Sequence, residues 1–167
     1  MELVATIRTN GPFFKGKGPE IINRELKAAM HEGVAFLEKE VEERTPTGVY
    51  GAQGGLLASI HGEVVQKGQA VIMGIVGTAN PYGEVIEKGR TAGKAWPPPG
   101  ALLRWIEVKL QVGEEQAKRI EFLVRRKIGQ KGFPGVHMFE RAFNEGFPML
   151  QTIFDRRGFT IAKAMNA

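Results

Sequence analysis

Side chains able to do chemistry are scarce in this sequence. Ser59 is its single serine and Asp155 its single aspartate, cysteine is absent, and the histidines are His31, His61 and His137. A Ser-His-Asp relay would have to recruit Ser59 and Asp155. The surrounding "LLASIHG" lacks the glycine pair of a nucleophile elbow, so Ser59 reads as a small residue on an alternating strand. His31-Glu32 has no second histidine four residues on, and His-x3-His, HExxH and DxD patterns are missing, which leaves no metal signature. Without cysteine there are no disulfides, thiol nucleophiles or thiolate metal sites. The "GKG" at 16–18 is too short for a phosphate-binding loop and reads as a turn. Glu84 and Glu87 form the best remaining acid pair, since a spacing of three puts both on one side of a helical turn. General acid work would require them in a cleft that raises a carboxyl pKa. The other reading is structural, or part of an interface. The expectation is a protein that is not an enzyme and carries no cofactor or metal.

What the sequence does concentrate is positive charge. Residues 1–87 hold 8 Lys/Arg against 11 Glu, residues 88–133 hold 11 against 4, and residues 134–167 hold 4 against 3. The net +5 therefore comes from a basic middle (+7) set against a mildly acidic first half (−3), with the C-terminal segment adding +1. Such a block attracts nucleic acid or an acidic protein surface, or is the solvated face of ordinary helices. At its centre lies "GRTAGKAWPPPGALLRW" (89–105). Three prolines favour an extended, polyproline-like course. That course is expected to hold Lys88, Arg90, Lys94 and Trp96 out from the body. Trp and Arg are enriched at interface anchors, and the competing reading of Trp96 is a cover for the adjoining helix. Trp105, in step with Leu102 and Ile106, is expected in the core.

These groups need elements to carry them. "ELVATIR" (2–8) alternates well enough for a short strand, and "TNGPFFKGKGP" (9–19) is loop. From Pro19, Ile22, Leu26, Ala29, Gly33, Leu37 and Val41 recur at helical spacing until "TPTG" (45–48) stops the run. The β-branched residues of "GGLLASIHGEVVQKGQAVIMGIVG" (54–77) indicate two strands about a turn at Lys67-Gly68. Residues 80–89 read as a short helical turn or loop. Leu102, Leu103, Ile106 and Leu110 mark one helix, and Ala117, Ile120, Leu123, Val124 and Ile128 mark a second. On the second, Lys118, Arg119, Arg125, Arg126 and Lys127 read as a solvated face. Met138, Phe139, Ala142 and Phe143 open a third helix, which Gly146 and Pro148 are expected to break or kink.

The length, 167 residues with 43% hydrophobic content, suits a single domain over 1–167. Within it we distinguish a strand and loop (1–19), a core (20–145) and a helical extension (146–167). Glu2 stands where a signal peptide would carry cations, and no run approaches the length of a membrane span.

Taken in order, Thr45, Pro46, Gly55, Leu56, Ser59 and Ile60, then Tyr82, Val85, Glu87 and Gly89, then Gly135, Met138, Phe139 and Ala142 form a recognisable set. The set resembles the head-to-tail joining, or tail-completion, proteins of long-tailed bacteriophages, also called minor tail components. The likeness covers about residues 20–145. It departs at "VYGAQG" (49–54), which is inserted, and at "GFPGVHMF", where valine and histidine replace a usual proline and aromatic. The resemblance implies an α+β fold, a small antiparallel sheet packed against a long N-terminal helix with further helices in the C-terminal half. It also implies a homo-oligomeric ring, six-fold, in the virion neck between the head connector and the tail tube or tail terminator, assembled in the host cytoplasm. No catalysis, cofactor, metal or membrane comes with it. Candidate interface residues are Tyr82, Glu87, Lys88, Arg90, Lys94, Trp96, Pro97, Pro98 and Pro99. The basic segment either lines a channel in loose contact with DNA or meets an acidic protein ring. The alternative is a small basic protein that binds nucleic acid non-specifically.

Overall fold

The structure, a computed structural model, describes residues 2–6, 18–48, 55–68 and 71–165. The loop expected over 9–19 lies almost wholly outside them, as does the insertion at 49–54. The chain divides into two compact units. The first comprises 1–43, 60–77 and 139–167, and the second 44–59 and 78–138. Neither is contiguous in sequence.

In the first unit, helix α1 (Gly18–Arg44) packs on a three-stranded sheet of β1 (Glu2–Thr6), β2 (Ile60–Lys67) and β3 (Val71–Thr78), ordered β1-β3-β2. Strand β1 runs antiparallel to β3, with Leu3 opposite Gly74. The three-residue link from β2 to β3 permits only an antiparallel pair, and Gly68 makes the turn with φ 66°. Mixed α+β architecture with a long N-terminal helix on a small antiparallel sheet is as the sequence indicates. The α1 stripe Ala29, Met30, Val34, Leu37 and Val41 is buried together with Ile60, Ile72, Met73 and Val76 of the sheet. Burying each such side chain contributes on the order of 1.5–3 kcal/mol. The helix sits close because the strands present glycine beneath it: a Cβ at Gly62 or Gly74 would run into Val34.

Two expectations are corrected in this unit. Of the break or kink expected at Gly146 and Pro148, a break does not occur: helix α5 (Met138–Met165) runs through both as one element. Gly146 lies against the Phe36 ring, where a Cβ would stand 2.9 Å from Phe36 Cε1, so it serves α1–α5 contact rather than termination. The β2 strand begins only at Ile60, because residues Leu57–Ser59 form a 3-10 turn. The reason is local: the Ser59 N–H (3.1 Å) and Oγ–H (2.7 Å) both donate to the Leu56 carbonyl. A hydroxyl that bonds its own backbone competes with the strand ladder.

The second unit contains helix α2 (Gly83–Lys88), a two-residue ladder of β4 (Gly89–Arg90) with β5 (Phe133–Pro134), and the packed pair α3 (Leu103–Leu110) and α4 (Glu114–Lys131). Ile106 and Ala117 are fully buried between the latter helices' apolar faces. Trp105 is not: it is 43% exposed, one residue off the face that carries Ile106. On α4 the expected stripe holds at Ala117, which is fully buried, and at the half-buried Ile120, Val124 and Ile128, but Leu123 is exposed and Glu121 and Gly129 are buried as well.

Candidate functional site

The second unit holds all of the residues that carry the phage resemblance except Ile60, Phe139 and Ala142, and it brings parts of the three short stretches together. Ser59 Oγ lies 2.6 Å from Thr78 Oγ1, and Thr78 Oγ1 in turn accepts from the Asn80 N–H at 3.1 Å. The Ser59 proton is spent on the Leu56 carbonyl, so the Thr78 hydroxyl donates to Ser59. Gly83 is buried where any Cβ would collide with the Thr78 methyl, with Leu56 beside it. At the other end of α2, the N–H groups of Val136 and His137 donate to the carbonyls of Ile86 (2.8 Å) and Glu87 (3.1 Å). Gly89, with φ 74°, and Gly135 meet backbone to backbone, leaving no room for a side chain at either. Finally Thr45 Oγ1 donates to Met138 Sδ at 3.2 Å, and both residues are buried. The first stretch thus touches the second, the second the third, and the third the first.

The same contacts give Ser59 a structural partner set: its hydroxyl is engaged by Leu56 and Thr78. Glu84 is exposed and ion-paired with Lys88 four residues on at 2.8 Å. That hydrogen bond holds the Glu84 carboxyl below its ordinary pKa and the Lys88 ammonium above its own. A general acid needs the opposite shift.

The 89–105 arm does not stand out from the unit; it lies along α4. The Trp96 indole covers Gly129, where a Cβ would fall inside the ring's van der Waals envelope. The ring also meets Phe122 edge-on, with centroids 5.9 Å apart. Arg125 Nε donates to the Pro97 carbonyl at 2.7 Å, and the Gly93 N–H donates to the Gly129 carbonyl at 2.9 Å. Arg90 turns back on its own loop, donating through Nη2 to the Ala95 carbonyl. The expected projection of the arm is therefore corrected. Three prolines stiffen a strap, and the strap is fastened by the arginine and the glycine of a helix that periodicity alone did not connect to it. Trp96 covers a helix, though α4 rather than the adjoining α3, and remains 40% exposed.

The candidate interface residues separate accordingly. Tyr82 (63% exposed), Lys94, Pro98 and Pro99 face outward, and Lys88 is outward but paired with Glu84. Arg90, Pro97 and Glu87 are half-buried and hold the unit together through the bonds just described.

One residue that matters was missed. Glu121, 5% exposed in the middle of α4, accepts the N–H groups of Gly100 (3.2 Å) and Leu102 (3.0 Å) with its two carboxylate oxygens. Helix α3 has no side-chain cap of its own, since "PPPGALL" offers no Ser, Thr, Asp or Asn. A carboxylate near the helix start is also favoured by the macrodipole. The signal was present: Glu121 falls four residues after Ala117 on the buried stripe, and a carboxylate there must find donors.

Protein-family models, curated proteins and solved structures were each compared with this chain, and none matches.

Proposed function

We propose that the protein is a structural component of a long-tailed phage neck, a tail-completion protein that assembles as a head-to-tail ring between the head connector and the tail. The observation that carries this reading is the closure of the resembling stretches on one another. Thr45 with Met138, and Gly89 with Gly135, come from different resembling stretches and meet directly, while Ser59 of the first stretch reaches the second through Thr78, on whose methyl Gly83 packs.

Charge adds to it. The second unit holds 12 Lys/Arg against 6 Glu, a net of +6, whereas the first holds 11 Lys/Arg against 12 Asp/Glu, a net of −1. A closed ring needs two different surfaces on each copy, and a chain polarised in charge provides unlike ones. Lys94, Pro98 and Pro99 on the arm, and Tyr82 just before it, are candidate interface residues available to a neighbour.

Electron microscopy of the purified full chain tests the proposal. Rings of one discrete size are expected, and Lys94→Glu combined with Tyr82→Ala is expected to disperse them without unfolding the protein. Rings indifferent to both substitutions would move the contact off the arm. A chain that stays monomeric and retains duplex DNA in a salt-sensitive way would replace the proposal with the nucleic-acid reading.

A further inference from the structure

The outer face of α4 is built differently from a solvated helix surface. Phe122 and Leu123, 51% and 60% exposed, stand side by side on it, with Trp96 in edge contact with Phe122. Around them lie Arg119, Arg126 and Lys127, three and four residues away along the helix, all exposed. None of these three cations makes a hydrogen bond or ion pair among the described residues. The acids of the helix are engaged elsewhere: Glu114 and Glu115 hold Lys118 at 2.8 and 3.1 Å, and Glu121 is turned inward. The result is an apolar centre with an unneutralised cationic border.

We propose that this face docks an acidic protein segment that places an apolar side chain on Phe122 and Leu123. The proposal concerns the chemistry of the partner and stands whether or not the neck assignment does. An apolar centre ringed by polar groups is the anatomy of a protein–protein contact, in which the dry centre supplies most of the affinity and the charges select the partner. Carboxylates on the partner answer Arg119, Arg126 and Lys127. Nucleic acid answers the cations but not the centre. A phosphate backbone would set charged oxygens against Leu123, and stacked bases, which need an aromatic platform, make no use of a leucine that is more exposed than the phenylalanine beside it.

The test is titration of the full chain with a labelled, Glu-rich helical peptide carrying leucines along one face. Three controls accompany it: an oligoglutamate of equal charge, a DNA duplex and an oligothymidine strand. Saturable binding of the leucine-bearing peptide is expected, with oligoglutamate weaker by about tenfold or more. Leu123→Ser is expected to weaken the peptide by about tenfold, a loss typical of one interface anchor. Joint reversal of Arg119, Arg126 and Lys127 to Glu is expected to weaken it by about a hundredfold and flatten its salt dependence. All four side chains are exposed, and unchanged helical circular dichroism verifies the fold of each variant. Four results would overturn the proposal. One is failure of the peptide to saturate, and a second is oligoglutamate binding as tightly as the peptide. A third is either DNA binding more tightly than the peptide and ignoring Leu123→Ser. The last is self-association of the chain abolished by Leu123→Ser, which would assign the face to a second copy.

Discussion

The indole of Trp96 lies across Gly129, so closely that α4 has room for no side chain at that position. In an ordinary helix interior Gly→Ala is worth up to about 1 kcal/mol of added stability. Here the sign should reverse, because the new methyl must displace the indole or the strap that carries it. Gly129→Ala is expected to destabilise the protein by about 1–3 kcal/mol, the usual cost of overpacking. In a Trp105→Phe background, the Trp96 emission should shift to the red. Unchanged emission with raised stability would mean that the strap does not rest on α4.

Glu121 should behave as a remote cap. Glu121→Ala removes two charge-assisted acceptors from the Gly100 and Leu102 amides, and a loss of about 2–4 kcal/mol follows from the cost of such bonds. Glu121→Gln keeps one oxygen and should lose about half as much. Urea denaturation checks both, and amide exchange at Gly100 and Leu102 should rise first.

Ser59 of the first resembling stretch is hydrogen-bonded to Thr78, on whose methyl Gly83, inside the second stretch, packs. Ser59→Ala leaves the Leu56 carbonyl and the Thr78 hydroxyl each short of a partner and should cost about 1 kcal/mol. Thr78→Val should cost a similar amount, and the double variant less than the sum of the two, since both remove the same bond. Full additivity in that cycle would show that the two hydroxyls are not coupled.

In the first unit, α1 and α5 are joined by Glu25 and Glu32 with Arg156 and Arg157. Hydrogen bonding by Arg24, and then Arg157, holds the Glu25 carboxyl below the ordinary 4.5; Arg156, and then Arg157, does the same for Glu32. A carboxyl depressed in the folded state binds fewer protons there than in the unfolded chain. Its contribution is therefore complete above about pH 4.5 and is lost as pH falls through the lower, folded value. Protection factors of the amides across 155–163, that is exchange corrected for its intrinsic pH dependence, should fall in acid before those of β3 do. Arg156→Leu with Arg157→Leu should lower that protection at neutral pH and remove most of its further loss in acid.

Much of this was legible from periodicity and breakers. Ala29, Gly33, Leu37 and Val41 announced α1 and its buried face, and the proline after Thr45 announced its end. The β-branched run gave the hairpin, and Gly68 its turn. What escaped was decided by partners distant in sequence. Gly146 looks like a helix breaker until Phe36 is set against it. Prolines 97–99 look like a free arm until Arg125 and Gly129 are seen to hold it. Glu121 looks like one solvating acid among many until the uncapped start of α3 is placed over it. Leu123 and Trp105 were assigned inward because both fit the helical period. Trp105 lies one residue off the buried Ile106, whereas Leu123 lies on the outer face of α4, beyond a stripe in which Ala117 is buried and Ile120, Val124 and Ile128 are half-buried; spacing alone does not fix the width of the buried face.

Sedimentation velocity of the full chain with a labelled DNA duplex at physiological salt tests the central claim most directly. The account predicts a single discrete oligomer with the mass of a closed ring, most of the duplex sedimenting apart from it. A monomer that binds the duplex at sub-micromolar concentration would contradict the account.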